Sequence, residues 1–474
     1  MNIDLTKGKI KGNLVRLSLP IVATGFIQTA YSLVDMLWIG RLGSGALSAV
    51  SSAGFYMWFA AAVMMLGRTG TEILVSQATG ENNQKKAKKY ARSGIAIASV
   101  LAVVFSIALY FLKEPLVGIF NIDDVEVNEM AISYLGVVTI GLFFDFFTQV
   151  FTGIFIGRGN SKLPFVVNAI GLVVNIFLDP FLIFGYGTFK IFFPELEVSG
   201  FSGIGFIGAA WATTISKIII FFLFIYYIKV KHYMFNRFVI FKRSTLSAIS
   251  DILKLGALPS VYNGTFCVFS ILLTRIVSGF GIDAIAASRV GSQIESISWM
   301  TAQGFSIALG TFTGQNYGAK IYSRVTKGYI EANKIAIVLG LINTFIIYFG
   351  AEPLSSIFFP LAEDAKALEI CVDYMRILAF SQLFMCVEIT TTGSFNGIGK
   401  TVPPSIVSIV MNCSRIPLAI FLSSIVVLGV NGIWITVSGT SVVKAIWITL
   451  WFCIMVKKSD KLSFKNMEVD EDER

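Results

Sequence analysis

The sequence predicts an all-α integral membrane protein, with twelve transmembrane helices in two six-helix bundles related by a pseudo-twofold axis. Three observations lead there. Of 474 residues, 55% are hydrophobic and only 14% are charged, where a soluble domain carries roughly 25%. Apolar stretches of about twenty residues recur from end to end, each long enough to cross about 30 Å of hydrocarbon. The chain also repeats itself at an offset of about 238–240 residues.

The apolar runs place spans near 14–40, 46–78, 90–112, 129–157, 163–186, 205–229, 252–279, 286–317, 325–350, 367–398, 402–427 and 430–456. The first run extends well past the length of a cleavable signal and has no small-residue cleavage site, so no signal peptide is expected. Charge separates the spans. The N-terminal segment carries Lys7, Lys9, Lys11 and Arg16, and span 1 then runs to an acidic-poor turn before span 2. Spans 2 and 3 are joined through Lys85, Lys86, Lys88, Lys89 and Arg92, and spans 3 and 4 through Asp123, Asp124, Glu126 and Glu129. Arg158 and Lys162 follow span 4, and a long loop around Phe189 to Gly203 precedes span 6. After span 6 come Lys229, Lys231, Arg237, Lys242 and Arg243; after span 8, Lys320, Arg324 and Lys327; after span 10, Lys400. Glu352, Glu363 and Asp364 lie between spans 9 and 10, and Lys457, Lys458, Lys461 and Lys465 follow span 12. Basic connections alternate with acidic or neutral ones, so the positive-inside rule puts both termini in the cytoplasm of a multi-pass plasma (inner) membrane protein.

The expected organisation is an N-terminal lobe over 1–229, a cytoplasmic linker over 230–251, a C-terminal lobe over 252–456 and a charged tail over 457–474. The acidic end of that tail, Glu468 to Glu473, has the composition of a disordered segment. The net charge of +9 comes from the short basic loops, so it sets topology and does not point to nucleic acid. The five cysteines, Cys267, Cys371, Cys386, Cys413 and Cys453, are scattered through apolar segments, and His232 is the single histidine. That pattern excludes a His/Cys metal cluster and a Ser-His-Asp triad, and it points away from an enzyme.

The repeat rests on matched residues. Pro20 falls on Pro259, Gly40 on Gly279, Gln77 on Gln315, and Gly80 on Gly318. Glu114-Pro115-Leu116 falls on Glu352-Pro353-Leu354, and Thr152-Gly153 on Thr392-Gly393. Asn175 meets Asn412, Pro180 meets Pro417, Trp211 meets Trp434, and Thr213 meets Thr436. Six spans per copy is an even number, so both copies share one orientation and are related by an axis along the membrane normal. Two such bundles facing one another enclose a central cleft.

Against this symmetry stand two acids. Asp35 in span 1 and Asp179 in span 5 have Thr274 and Ile416 as counterparts. A carboxylate at the centre of a bilayer costs about 2.5–3.5 kcal/mol on insertion scales. Asp35 is five residues inside Gly40 and Asp179 six inside Gly185, so both lie about 8–9 Å from the outer helix ends. Asn175 is one turn before Asp179 on the same face, and Thr213 in span 6 reaches a similar depth. These oxygens suit Na+ equally with a proton held on a carboxyl, and structural hydrogen-bonding acids are the plainer alternative. Pro20 precedes Asp35 on the same helix, where a proline kink can couple occupancy to bending or serve packing alone. Arg68 and Glu72, spaced i,i+4, can neutralise each other. Gln28, Tyr31, Glu72, Asp145, Glu295 and Glu388 are candidates for lining a cleft, where an acid attracts cationic substrates.

Pro20 with Gln28 to Val50, Ser76 to Asn83, Gly314 to Ala319, and Gly393 to Pro404 together resemble the multidrug and toxic compound extrusion (MATE) transporters. The acidic pair resembles their DNA-damage-inducible-F-like prokaryotic branch. The resemblance implies a monomeric twelve-helix antiporter in membrane lipid that exports small organic cations in exchange for H+ or Na+, with no other cofactor. It implies a coupling-cation site at Asp35, Asn175, Asp179 and Thr213, the first three being the metal ligands if the ion is Na+, and a bending proline at Pro20. A lipid-linked oligosaccharide or lipid flippase of the same superfamily is the alternative. It needs a strongly cationic cleft, for which Arg68, Arg275, Arg289 and Arg415 are the only internal candidates.

Overall fold

A computed structural model describes residues 3–120, 122, 124–186, 201–230, 235, 244–360 and 365–462. Asp123, the loop around Phe189, His232, the linker cations Lys231, Arg237, Lys242 and Arg243, Glu363, Asp364, Lys465 and the acidic tail lie outside the described residues.

Twelve long helices are formed by the described residues: α1 Ile10–Gly40, α2 Ser44–Gly80, α3 Gln84–Phe111, α4 Val125–Gly157, α5 Lys162–Phe184, α6 Ile207–Lys229, α7 Leu246–Ser278, α8 Ile282–Gly318, α9 Tyr322–Phe349, α10 Ala365–Gly397, α11 Val402–Ser423 and α12 Asn431–Lys458. Short helices at Lys113–Gly118 and Ala351–Ser356 occupy the two Glu-Pro-Leu repeats. Eleven of the long helices are apolar enough to cross a membrane on their own composition. The exception, α8, carries Asp283, Arg289 and Glu295 within its 37 residues. It packs against α1, α2, α9 and α10, with Glu295 half-buried and Arg289 exposed.

Several helices begin four to six residues before the apolar runs do. In α3 the Asn83 side chain accepts a hydrogen bond from the Lys86 amide at 3.0 Å, so the helix starts within the lysine cluster. Polar caps and lysines extend helices into the headgroup zone, where hydropathy alone marks an end. Pro20 and Pro259 sit in unbroken helices. Thr24 Oγ1 donates to the Pro20 carbonyl and Asn263 Nδ2 to the Pro259 carbonyl, each at 2.8 Å and each one turn on. The proline motif is therefore repeated with its side-chain partner, although the helices run on through it.

The backbone obeys the repeat closely. Left-handed residues occur as pairs at equivalent positions: Gly43 and Gly281, Asn82 and Lys320, Gly159 and Gly399. Packing obeys it too. Helix α1 packs on α5 in its own lobe and on α8 across the molecule, and α7 packs on α11 and on α2 in the same way. The first helix of each lobe thus leans on the second helix of the other.

The closest backbone approaches between the lobes lie toward the end carrying the N-terminal segment and the basic loops, and Ser260 Oγ donates across mid-helix to the Ala62 carbonyl at 2.7 Å. At the basic end Gln77 Nε2 donates to the Gly397 carbonyl, and its counterpart Gln315 Nε2 donates to the Gly157 carbonyl, both at 2.9 Å. A Cβ on Gly80 would overlap the Gln315 carbonyl, and one on Gly318 would overlap that of Gln77. Leu14, Leu17 and Ile21 of α1 share a core with Ile156 of α4 and Ala308, Leu309 and Phe312 of α8. The N-terminal segment straps this end. Ile3 N donates to the Gly159 carbonyl at 3.1 Å, Leu5 is fully buried, and Asn316 and Arg324 donate to the Leu5 carbonyl, each at 3.1 Å.

The opposite, acidic end is splayed. Added Cβ atoms at Gly40, Gly43, Gly54, Gly264 and Gly281 would meet nothing within 4 Å. A cavity of about 430 Å³ lies between α2 and α7, lined by Trp58, Ser270, Thr274 and Arg275. The lobes are closed at the basic end and open at the acidic one.

Candidate cation site

Helix α5 packs against both α1 and α6, which brings the predicted site residues together. Its acidic end is fixed by backbone bonds to the segment entering α6, Ile204 N to the Leu182 carbonyl at 2.8 Å and Gly205 N to the Ile183 carbonyl at 3.2 Å. Gly208 lets α6 cross against that end, since a Cβ there would strike the Leu182 carbonyl. The register sets Thr213 opposite Asp35: its Oγ1 donates to Asp35 Oδ2 at 3.2 Å. Asn175 Nδ2 donates to Asp179 Oδ1 at 3.1 Å, one turn along the same helix. The Asp35 carboxyl lies beside Asp179 and Asn175.

Most of the cluster is buried. Asn175 and Asp179 are fully buried and Thr213 nearly so, while Asp35 is half-buried. Three of its oxygens, Asp35 Oδ1, Asn175 Oδ1 and Asp179 Oδ2, are buried with no donor. An unpaired buried acceptor costs about 1–3 kcal/mol, and more when charged. Three convergent ones in a single pocket are what a small cation satisfies. Oxygen-only ligands are the right set for Na+, one of the two ions that the sequence leaves open. Tyr134 of α4 is also buried here, beside Asp35, Asp179 and Thr213, and was not identified from sequence. Its only sequence signal is a hydroxyl in the outer part of an otherwise apolar span.

The other polar candidates are placed inside lobes. Asp145 accepts from Lys217 Nζ at 2.9 Å and from Thr148 Oγ1 at 2.7 Å. Glu388 pairs with Lys444 at 3.3 Å, and Glu295 accepts from Gln382 at 3.0 Å and Tyr374 at 3.2 Å. Arg68 and Glu72 approach to 3.9 Å, but the shorter bond of Arg68 is to Gln149 Oε1, at 2.6 Å. Gln28 is exposed on α1, and Tyr31 lies half-buried with its ring 6.0 Å from Lys217 Nζ. In the C-terminal lobe, Asn412 stands where Asn175 does, buried with both polar atoms unpartnered, but no acid accompanies it. Lys217 and Lys444 escaped the sequence reading, although each is a lone lysine inside an apolar span.

A two-lobe helical membrane protein with a buried acid cluster in one lobe and a closure at one end has the architecture of a membrane transporter. The MatE family profile matches residues 20–181 and 261–421, once on each lobe and over more than half of the chain. The chain belongs to the MatE family. It is 27% identical over 443 residues to a probable multidrug resistance protein NorM of Thermotoga maritima, covering 90% of this chain and 89% of that one. It is 25% identical to a probable multidrug resistance protein YoeA of Bacillus subtilis, covering 93% and 92%. A solved structure of a MOP superfamily transporter from Pyrococcus furiosus superposes with a TM-score of 0.87 at 23% identity, covering 96% of this chain and 98% of that one.

Proposed function

We propose that the protein is a secondary active antiporter of the cell membrane that exports cationic amphiphilic organic compounds in exchange for a small cation. The basic end and both termini face the cytoplasm in this reading, so the splayed end opens outward. The three unpaired acceptor oxygens of Asp35, Asn175 and Asp179 are the observation that carries it. A single proton shared between the two carboxyls satisfies two of the three unpaired oxygens, one as donor and one as acceptor. One Na+ can satisfy all three, and this favours Na+ over H+ as the coupling ion. The names of the Thermotoga and Bacillus relatives support multidrug export.

The cation enters from the open end to reach the α1–α5–α6 pocket, where it offsets one of the two carboxylate charges. A less charged pocket lowers the cost of closing α1 over it, and closure there requires opening at the basic end if the lobes rock as bodies. The flippase alternative is less favoured: Arg68 is bound to Gln149 and Arg415 to Thr440 and Ser441 at 2.9 and 2.8 Å, which leaves only Arg275, in the cavity between α2 and α7, and the exposed Arg289 of its four cationic candidates.

Ethidium efflux from vesicles under separately imposed Na+ and pH gradients tests both parts. Wild type is expected to export under the Na+ gradient, and Asp35→Asn to insert and fold but lose gradient-driven export. Full export by Asp35→Asn would defeat the reading, and export driven by the pH gradient alone would replace Na+ with H+.

A further inference from the structure

Each lobe contains the same three-residue assembly. In the N-terminal lobe Lys217 of α6 pairs with Asp145 of α4 and sits over Tyr31 of α1, 6.0 Å from its ring centroid. In the C-terminal lobe Lys444 of α12 pairs with Glu388 of α10 and sits over Tyr262 of α7, at 5.6 Å. The helices are equivalent, but the residues are not in register. With Thr152 set on Thr392 and Trp211 on Trp434, Glu388 and Lys444 lie about one turn nearer the basic end than Asp145 and Lys217.

The offset places the N-lobe lysine directly beneath the cation site. Lys217 is four residues after Thr213, whose hydroxyl bonds Asp35, and Tyr31 is four residues before Asp35. One helical turn, about 6 Å, therefore separates the two levels on both α6 and α1. The Lys217 charge acts on Asp35 at this range. Among the described residues Asp145 is its one hydrogen-bonded partner. The other Asp145 oxygen keeps Thr148 and Gln149 as donors, at 2.7 and 3.4 Å, so Asp145 stays bonded if the lysine leaves. A lysine has a flexible four-carbon stem and three donors. In the C-terminal lobe, Thr274 and Ile416 replace the acids, and the lysine stands a turn farther off.

We propose that Lys217 is a tethered competitor of the coupling cation, with Asp145 setting the competition by holding its ammonium away from Asp35 and Asp179. When the ion departs, Lys217 is the positive charge that can replace it at the carboxylates. Its loss of contact with Asp145 reports the empty site to α4. This rests on the Na+ reading above and adds to it a residue that sets ion affinity without being an ion ligand.

Equilibrium binding of radioactive Na+ to purified protein in nanodiscs, at one fixed pH, separates this role from a structural one. The double variant Lys217→Gln, Asp145→Asn removes both charges and keeps hydrogen-bonding shapes. It is expected to bind Na+ roughly tenfold more tightly, because the ammonium that would occupy the carboxylates of the empty site has gone, whereas loss of the Asp145 charge by itself could only weaken binding. Asp145→Asn alone frees the lysine and is expected to weaken Na+ binding by a similar factor. Shifts of opposite sign establish competition, whereas unchanged affinity or shifts of the same sign overturn it. If Asp145→Asn does not fold, the double variant decides alone, and unchanged affinity there overturns the proposal. A folded wild type that binds no Na+ removes the Na+ site itself, and the competition falls with it.

Discussion

Thr213 makes the one hydrogen bond from α6 to the acid pair, so it holds Asp35 Oδ2 in place and offers its own oxygen to an ion. Thr213→Val keeps the shape and removes the hydroxyl. Because hydrogen bonds to charged groups contribute about 1.5–3 kcal/mol, half-saturating Na+ for efflux should rise about tenfold or more. An unchanged half-saturation would take Thr213 out of the site. At this scale the sequence was informative where residues are costly: Asp35, Asn175 and Asp179 are polar groups in apolar helices, and depth along each helix aligned them. It was uninformative about rotation between helices. Tyr134 reaches the acids only because α4 turns that face inward, and Asp145, read as cleft-lining, turns instead to Lys217. Lys217 lies in the run Ile215-Ser216-Lys217-Ile218, where nothing local separates a snorkelling lysine from an internal one.

Among the elements, α2 and α8 form the closure. Their ends meet as Gly80 over Gln315 and Gly318 over Gln77, while each glutamine amide reaches a carbonyl at the end of α4 or α10. Backbones this close admit no Cβ, so Gly80→Ala and Gly318→Ala should hold the basic ends apart. A cysteine at Ser76, buried in the closed form, should then react with an impermeant maleimide at least several times faster than in the parent, both lacking the five native cysteines. Equal rates would show that the helix ends absorb the methyl groups. The paired Gln and Gly were visible in sequence as repeat markers, but their mutual contact was not, since it crosses between lobes. Helix starts were misjudged for a related reason. The Lys85–Arg92 cluster looks like a loop by charge, yet the Asn83 cap makes it the first turns of α3.

For the molecule as a whole, the repeat makes the two gates predictable from one conformation. Spin labels at Arg41 and Ile282 sit at the splayed end, and labels at Glu81 and Ala319 sit at the closed end. On reversal the first distance should shorten and the second lengthen, by several ångströms each, and movement in the same direction would rule out rocking about the pseudo-twofold axis. Charge alternation, span number and the repeat made this architecture legible in advance. Which end is shut depends on contacts between distant residues, and no local pattern encodes it.

The strap from Ile3 to Gly8 has a practical consequence at the bench. It threads between Gly159 of one lobe and Asn316 and Arg324 of the other, so it is part of the shut gate. An affinity tag or fluorescent fusion joined ahead of it would hang from the gate itself. Such a fusion is expected to slow turnover or bias the resting state, and kinetics recorded with it would describe the fusion as much as the transporter.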